Sequence, residues 1–193
     1  MPACLPKTHI APFSQVFRRR FICFACSILL SATSGIAAPS PDLENSDERF
    51  AISEMHGKPA PELSLEGWLN SQPLELSSLK GKIVVLDFWA TWCAECVRSI
   101  PHLNELQKRY ADQGVVIIGV CASDGSERMG ELAKNRGIKF PVAIDKKDAT
   151  NKRYRANSSP DYYIIDRAGK LRWGDFVNKH VEKAIGILLA EDG

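Results

Sequence analysis

Beyond residue 37 the sequence has few cysteines, and their placement excludes several kinds of protein. Six cysteines occur among 193 residues, and three of them, Cys4, Cys23 and Cys26, lie within the first 37 residues. The other three are too few and too widely spaced for a disulfide-rich scaffold. No second Cys-x-x-Cys and no histidine pair at ligand spacing follows Cys93 and Cys96, so a structural zinc site would lack half of its ligands.

An excess of charge of either sign is also missing. Lys and Arg number 25, Asp and Glu number 23, and the formal net charge is +2. The first 37 residues contain four basic residues and no acidic one, so the rest of the chain is close to neutral. This balance gives no electrostatic basis for binding nucleic acid. No internal repeat or low-complexity tract occurs, and a hydrophobic content of 45% is enough for a folded core.

The N-terminal region has the layout of an export signal. Arginines at residues 18–20 precede an apolar stretch at residues 21–38, and small residues at Gly35 and Ala37 permit cleavage after Ala37. Ser, Thr and Gly dilute the second half of that stretch, which makes it marginal as a membrane-spanning helix. We interpret residues 1–37 as a signal peptide, with an uncleaved membrane anchor as the alternative. The arginine cluster leaves both general secretion and twin-arginine export open.

The rest of the chain divides into a linker and one domain. Residues 38–57 are polar, contain several prolines and acids, and show no hydrophobic period, so we assign them to a linker. Residues 58–193 form the predicted domain. Its first two segments, 62–66 and 72–76, alternate apolar and polar residues and predict an N-terminal β-hairpin. Residues 83–89 are apolar at consecutive positions, which predicts a strand buried on both faces, with Asp87 as the exception.

The order of the remaining elements predicts an α/β fold. Strand–helix–strand steps imply parallel central strands with helices on both faces of the sheet, and a terminal hairpin adds antiparallel strands. Hydrophobic periodicity, caps and turn residues predict helices at 94–110, 126–136, 145–154 and 178–190, and strands at 115–120, 140–144, 162–166 and 171–173.

The pair Cys93 and Cys96 lies where the buried strand gives way to a helix. Cys93 would occupy the helix N-terminus, where unpaired N–H groups and the helix dipole favour an anion and lower the thiol pKa. Cys96 would lie one turn further on, within reach of a disulfide. This spacing therefore favours thiol–disulfide exchange, with Cys93 as the attacking thiolate and Cys96 as the resolving thiol.

Three other interpretations of the pair are weaker. A purely structural disulfide would close so short a loop that it removes little entropy from the unfolded chain. A metal site lacks its other ligands. A peroxidase of the peroxiredoxin type would need Thr three residues before its reactive cysteine. The residue at that position is Ala90 for Cys93 and Cys93 for Cys96, so neither cysteine fits.

From residue 58 onward the chain resembles thioredoxin-like proteins of the TlpA/ResA type. The resemblance covers nearly the whole predicted domain and depends on several motifs: Gly57-Lys58-Pro59-Ala60-Pro61, Leu79-Lys80-Gly81-Lys82, Asp87-Phe88-Trp89-Ala90-Thr91-Trp92-Cys93, Pro101-His102-Leu103, and Ser159-Pro160 ahead of Tyr163-Ile164-Ile165-Asp166.

The resemblance implies a three-layer thioredoxin-like fold: a mixed central sheet with flanking helices, an N-terminal β-hairpin extension and an insert near residues 123–137. It implies a location in the bacterial periplasm or envelope and an enzyme that reduces disulfides in exported proteins. In such families the substrates include apocytochromes c and oxidase-assembly proteins, and a membrane thiol donor recharges the enzyme. No cofactor beyond the redox-active disulfide and no metal is expected.

Four further site residues follow from the resemblance. Pro160 matches the family's cis-proline beside the dithiol, and Ser159 would offer backbone groups to an extended substrate strand. Asp87 matches the buried Asp of thioredoxins, which implies that it accepts the proton of Cys96. Trp92 is expected to pack over the dithiol and limit solvent access.

Glu95 departs from the proline that the family often has between the cysteines. A carboxylate there would raise the cysteine pKa and make the pair a better reductant, although it could equally be a solvated first-turn residue. The leading hypothesis is therefore a disulfide reductase. The alternatives are an oxidase that introduces disulfides and a metal-binding chaperone that uses the same cysteines.

Overall fold

A computed structural model of the chain describes residues 39–45 and 48–191. The predicted signal peptide at residues 1–37 lies outside this part of the chain and stays a prediction. Within the two described ranges, no helix is both long enough and apolar enough to cross a membrane.

A six-stranded mixed sheet forms the centre of the domain, in the order β1-β4-β3-β2-β5-β6. β2, β3 and β4 run parallel, whereas β1, β5 and β6 each pair antiparallel to their neighbours. β2 lies in the middle, and all seven of its residues are buried, as its continuous apolar run predicts. The strands are β1 Leu65–Leu69, β2 Ile83–Trp89, β3 Val115–Cys121, β4 Val142–Asp145, β5 Asp161–Ile165 and β6 Leu171–Gly174.

Helices cover both faces of the sheet and bury two hydrophobic clusters. Apolar residues of α2, α3 and α5 pack on one face, and those of α1 and α4 pack on the other. The predicted helices are thus confirmed, although their first turns at residues 126–128, 146–148 and 178–180 are 3-10 rather than α-helical. The helices are α1 Arg49–Ser53, α2 Ala94–Tyr110, α3 Met129–Arg136, α4 Ala149–Tyr154 and α5 Val181–Glu191.

The predicted N-terminal hairpin is wrong. Of its two segments, only the first contributes a strand, and that strand (β1) pairs antiparallel with β4 at the sheet edge. Asn70 adopts a positive φ of 64°, and Pro73 has no N–H to donate to a ladder. Residues 76–79 then form a 3-10 turn. Local alternation of apolar residues was present, but the partner strand came from a distant part of the chain.

The predicted linker also differs from the structure. Residues 49–53 form α1, and its Ile52 is fully buried in the cluster that covers one face of the sheet. Leu43 forms an antiparallel bridge with Phe176, which follows β6. Local composition did not predict these contacts because they are made with segments far along the chain, such as the residues after β6. The packed domain therefore includes residues before 58.

Candidate functional site

Cys93 and Cys96 form a disulfide at the N-terminus of α2. Their Cα atoms lie 5.3 Å apart, and both residues are buried. Cys93 is the N-cap of the helix, and its sulfur accepts the Cys96 N–H at 3.1 Å. A thiolate on Cys93 would keep this donor and the positive end of the helix dipole, and both lower its free energy. The structure thus gives the two cysteines the unequal positions predicted from sequence.

The Ser159–Pro160 peptide bond is cis, as the resemblance implied. This bond precedes β5, the strand that pairs antiparallel with β2. The Ser159 carbonyl oxygen lies 3.3 Å from the Cys93 sulfur. An extended chain bonded to Ser159 would therefore pass directly beside the sulfur at which exchange starts.

Asp87 lies on the face of the sheet that carries the disulfide. Side chains two residues apart on a strand share a face, and Val85 and Trp89 belong to the same cluster as Cys93 and Cys96. The neighbours of Asp87 across the sheet are Gly119 on β3 and Tyr162 on β5. The structure therefore places the buried carboxyl and the dithiol on the same side of the sheet.

The environment of Asp87 changes its acidity. The residue is 3% exposed, and within the described chain its Oδ1 is buried without a hydrogen-bond partner. Burial penalises the charged carboxylate and raises the pKa of Asp87 to about 7. A carboxyl with that pKa can either hold or release a proton at neutral pH.

Glu95 forms an ion pair with Arg98, one turn along α2. Both side chains are more than half exposed, at 63% and 67%. The arginine charge offsets much of the negative potential that Glu95 would project onto the cysteines, and solvent screens the remainder. The effect of Glu95 on the dithiol is therefore weaker than the sequence alone suggested.

Trp92, which we expected to cover the dithiol, is 57% exposed. It borders a shallow surface groove of about 500 Å³ that continues past Asp124 and Asn151 to Asn157 and Ser159. The groove thus joins the cis-proline loop to the cysteine loop. An exposed aromatic side chain on its wall provides apolar contact area next to the reactive disulfide.

A contact that the sequence did not predict links the cysteine loop to the segment before α3. Thr91 is buried, and its hydroxyl donates to the Gly125 carbonyl at 2.8 Å. The Arg128 guanidinium donates to the same hydroxyl at 3.3 Å. Gly125 has a φ of 73°, and a side chain there would meet Thr91 Oγ1 at 2.8 Å. Nothing in the local sequence pairs Thr91 with a residue so far along the chain.

The remaining cysteine of the described residues, Cys121, takes no part in the dithiol. Cys121 is a free, fully buried thiol at the end of β3, and burial raises its pKa to about 12. It is thus a packed side chain rather than a nucleophile.

In the part of the chain that the structure describes, no group of three or more His, Cys, Asp or Glu side chains could hold a metal ion.

Fold and site together define a thioredoxin-like protein with a Cys-x-x-Cys disulfide at a helix N-terminus. The chain belongs to the AhpC/TSA family, whose family model matches residues 56–174.

Its relatives include several thiol–disulfide oxidoreductases. The chain is 38% identical over 130 residues to the thiol-disulfide oxidoreductase ResA of Bacillus cereus, which covers 67% of this chain and 69% of ResA. It is 38% identical over 146 residues to the protein DipZ of Mycobacterium bovis, but it spans only 21% of the length of DipZ. The predicted resemblance to ResA-type proteins is therefore confirmed.

A solved structure supports the same fold. A putative thiol:disulfide interchange protein DsbE from Chlorobium tepidum superposes with a TM-score of 0.63 at 30% sequence identity, covering 72% of this chain and 98% of that chain. This similarity confirms the predicted thioredoxin-like fold.

Proposed function

We propose that this protein is a thiol–disulfide oxidoreductase that reduces disulfides in other proteins through Cys93 and Cys96. One observation carries the proposal: the Cys93 sulfur caps α2, accepts the Cys96 N–H, and lies beside the Ser159 carbonyl. The helix N-terminus and the Cys96 N–H stabilise a thiolate on Cys93, and the Ser159 backbone can align an extended substrate chain beside the same sulfur. The ResA and DsbE names of its relatives agree with this chemistry.

The reaction starts from the reduced dithiol. The Cys93 thiolate attacks one sulfur of a substrate disulfide, forms a mixed disulfide and expels the other substrate sulfur as a thiolate. Cys96 then loses its proton and attacks the Cys93 sulfur. This second exchange closes the Cys93–Cys96 disulfide and releases the substrate as a dithiol. Two electrons pass to the substrate, so another thiol must reduce the enzyme before the next cycle.

Asp87 is the proposed acceptor of the Cys96 proton. It faces the same buried cluster as Cys96, and its carboxyl has a pKa near neutral pH. Removing the proton makes Cys96 nucleophilic only when a mixed disulfide needs to be resolved.

The proposed setting is the bacterial envelope. The layout of residues 1–37 supports export, with or without a retained membrane anchor. Exported proteins with disulfides would be the substrates, including apocytochromes c or oxidase-assembly proteins, and a membrane thiol donor would recharge the enzyme. These finer assignments depend on the resemblance to the TlpA/ResA type.

The reduction potential of the Cys93–Cys96 couple tests the proposed direction of electron flow. We expect a value near or below that of thioredoxin, about −270 mV, after equilibration with dithiothreitol. We expect Glu95→Gln to move it by less than about 30 mV, which corresponds to about 1.4 kcal/mol, since Arg98 offsets the glutamate charge.

Two controls define how this measurement is interpreted. Cys93→Ser should abolish reduction of insulin disulfides, whereas Cys121→Ser should retain it. A potential near about −120 mV would show that the couple is an oxidant and would overturn the proposed direction. Stoichiometric copper or zinc retention by a protein with no reductase activity would instead support the metal-binding alternative.

A further inference from the structure

The loop at residues 157–160 accepts a hydrogen bond from a side chain that takes no part in the reaction itself. Asn178, in the 3-10 turn before α5, donates from Nδ2 to the Pro160 carbonyl at 3.1 Å. A carbonyl oxygen can only accept, so the amide must present its NH2 group to this loop. The carbonyl of the preceding residue, Ser159, is the one that lies 3.3 Å from the Cys93 sulfur.

A second anchor holds the other end of the same loop. Asp161 is 2% exposed, and its Oδ2 accepts the Asn157 N–H at 3.3 Å. The carboxyl faces Asp175, which follows β6, and Glu44 from the N-terminal segment, and both raise its pKa in addition to burial. Its pKa is about 8, so at neutral pH it is largely protonated and packs without mutual repulsion. The loop is therefore fixed at both ends by buried groups.

The N-terminal segment at residues 42–44 in turn holds the backbone around Asn178. The Glu44 N–H donates to the Asp175 carbonyl at 2.8 Å, and the Val177 N–H donates to the Asp42 carbonyl at 2.9 Å. The backbone N–H of Asn178 lies near the Glu44 carboxyl and partly offsets the rise in the pKa of Glu44 that burial and Asp175 cause. The two backbone bonds, with the bridge between Leu43 and Phe176, pair residues 42–44 with residues 175–177 like a short additional strand. This pairing ends immediately before Asn178, whose side chain bonds Pro160.

We propose that Asn178 is a positioning residue for disulfide exchange, and that residues 42–44 hold it in place. Through its hydrogen bond to the Pro160 carbonyl, Asn178 fixes the position and orientation of the Ser159 backbone. A substrate strand would pair with this backbone. This inference rests on the proposed function, since it assigns Asn178 to the binding of protein substrates. The chemistry at the two sulfurs does not need it, because Asn178 bonds the loop and not the dithiol.

Asn178→Ala in the full-length protein tests the proposal. We expect the KM for insulin reduction to rise at least fivefold while kcat changes less than twofold, because the loop loses its alignment and the cysteines keep theirs. Reaction of the reduced protein with 5,5′-dithiobis(2-nitrobenzoate), a small disulfide that needs no strand pairing, should change less than twofold. The equilibrium constant with glutathione should likewise change less than twofold.

Two further variants make the result specific. Lys179→Ala alters the exposed neighbour in the same turn and should leave all three measurements unchanged. Glu44→Pro removes the N–H that bonds the Asp175 carbonyl, and should raise the KM for insulin without any change at Asn178 itself.

The outcomes separate this inference from the proposed function. An unchanged KM in Asn178→Ala overturns the positioning role, as does an equal loss of reactivity towards insulin and the small disulfide, which would indicate general disruption of the site. A wild-type protein that reacts with the small disulfide but never reduces insulin would contradict the proposed function instead.

Discussion

At the scale of single residues, Asp87 shows how a buried strand changes the chemistry of a carboxyl group. An exposed Asp loses its proton far below neutral pH. Asp87 lies within β2, has Gly119 and Tyr162 as its neighbours across the sheet, and is 3% exposed. Because the interior stabilises charge poorly, the proton stays on this carboxyl until about pH 7.

Asp87→Asn tests the role of this carboxyl in resolving the mixed disulfide. With no acceptor for the Cys96 proton, we expect the mixed disulfide to collapse roughly 10²-fold more slowly at pH 7, in line with the usual effect of a general base. The wild-type rate should rise through about pH 7, and this rise should be absent from the variant. Stopped-flow measurement of mixed-disulfide decay from pH 5 to pH 9 would show it, and an unchanged pH profile would remove Asp87 from the mechanism.

The stability of the same variant provides a check on folding. As the pH rises, Asp87 loses its proton near pH 3.8 in the unfolded chain but only near pH 7 in the folded protein. Ionisation therefore stabilises the unfolded chain first, so the free energy of unfolding of the wild type falls between these two pH values and stays lower above pH 7. Asp87→Asn should therefore be more stable than wild type at pH 8, by at most about 4 kcal/mol, and should show no such gain near pH 3. Exposed Asp112→Asn is the matched control for the replacement of a carboxyl by an amide at the surface.

At the scale of secondary structure, α2 could be predicted from its local sequence, whereas α1 could not. α2 begins and ends at the residues that periodicity and capping predicted, because its N-cap and its apolar stripe are both local features. α1 has only five residues and cannot persist alone, since so few backbone bonds do not offset the cost of nucleation. Its existence depends on the burial of Ile52 against the sheet.

Ile52→Ala measures how far α1 belongs to the domain. Ile52 is fully buried, so we expect a loss of about 2–4 kcal/mol in the free energy of unfolding. Phe50→Ala, on the same helix but 76% exposed, should change it by no more than about 0.5 kcal/mol. Denaturant unfolding measures the free energy of unfolding of both variants. Equal values would mean that α1 contributes no more to the stability of the domain than a linker does.

At the scale of the whole molecule, the proposed export is the property that would most affect the redox chemistry. A dithiol that reduces other proteins in an oxidising compartment needs electrons from elsewhere, whereas a cytosolic one would be kept reduced by the thiols around it. The proposed location therefore decides whether a dedicated thiol donor is required.

Expression of the full-length chain in a bacterium tests this location. We expect the protein in the periplasmic fraction with Ala38 as its first residue, determined by mass spectrometry. Replacement of the three arginines at residues 18–20 by Gln should retain the uncleaved protein inside the cell. Recovery of the intact chain in the membrane fraction would favour the anchor, and cytoplasmic wild-type protein would contradict export.

Much of the site could be predicted because its determinants are local. Cys93, Cys96 and the start of α2 lie within a few residues of one another, and the apolar run that ends before them shows where the strand stops. The cis-proline and the role of Asp87 came from the resemblance rather than from composition. The hairpin prediction failed because strand pairing is a long-range choice, and Leu65 pairs with Asp145 rather than with a residue a few positions away.

By itself, the sequence determined which residues are candidates for the reaction: a dithiol at a helix N-terminus and one acid in an otherwise apolar strand. Only the tertiary structure decided the environment of those residues. It places Asp87 on the face of the disulfide, Asn178 beneath Pro160, and residues 42–44 against the segment that follows β6. The physical reason is that burial and hydrogen bonding depend on segments far apart in the chain, whereas helix capping and hydrophobic periodicity depend only on neighbours.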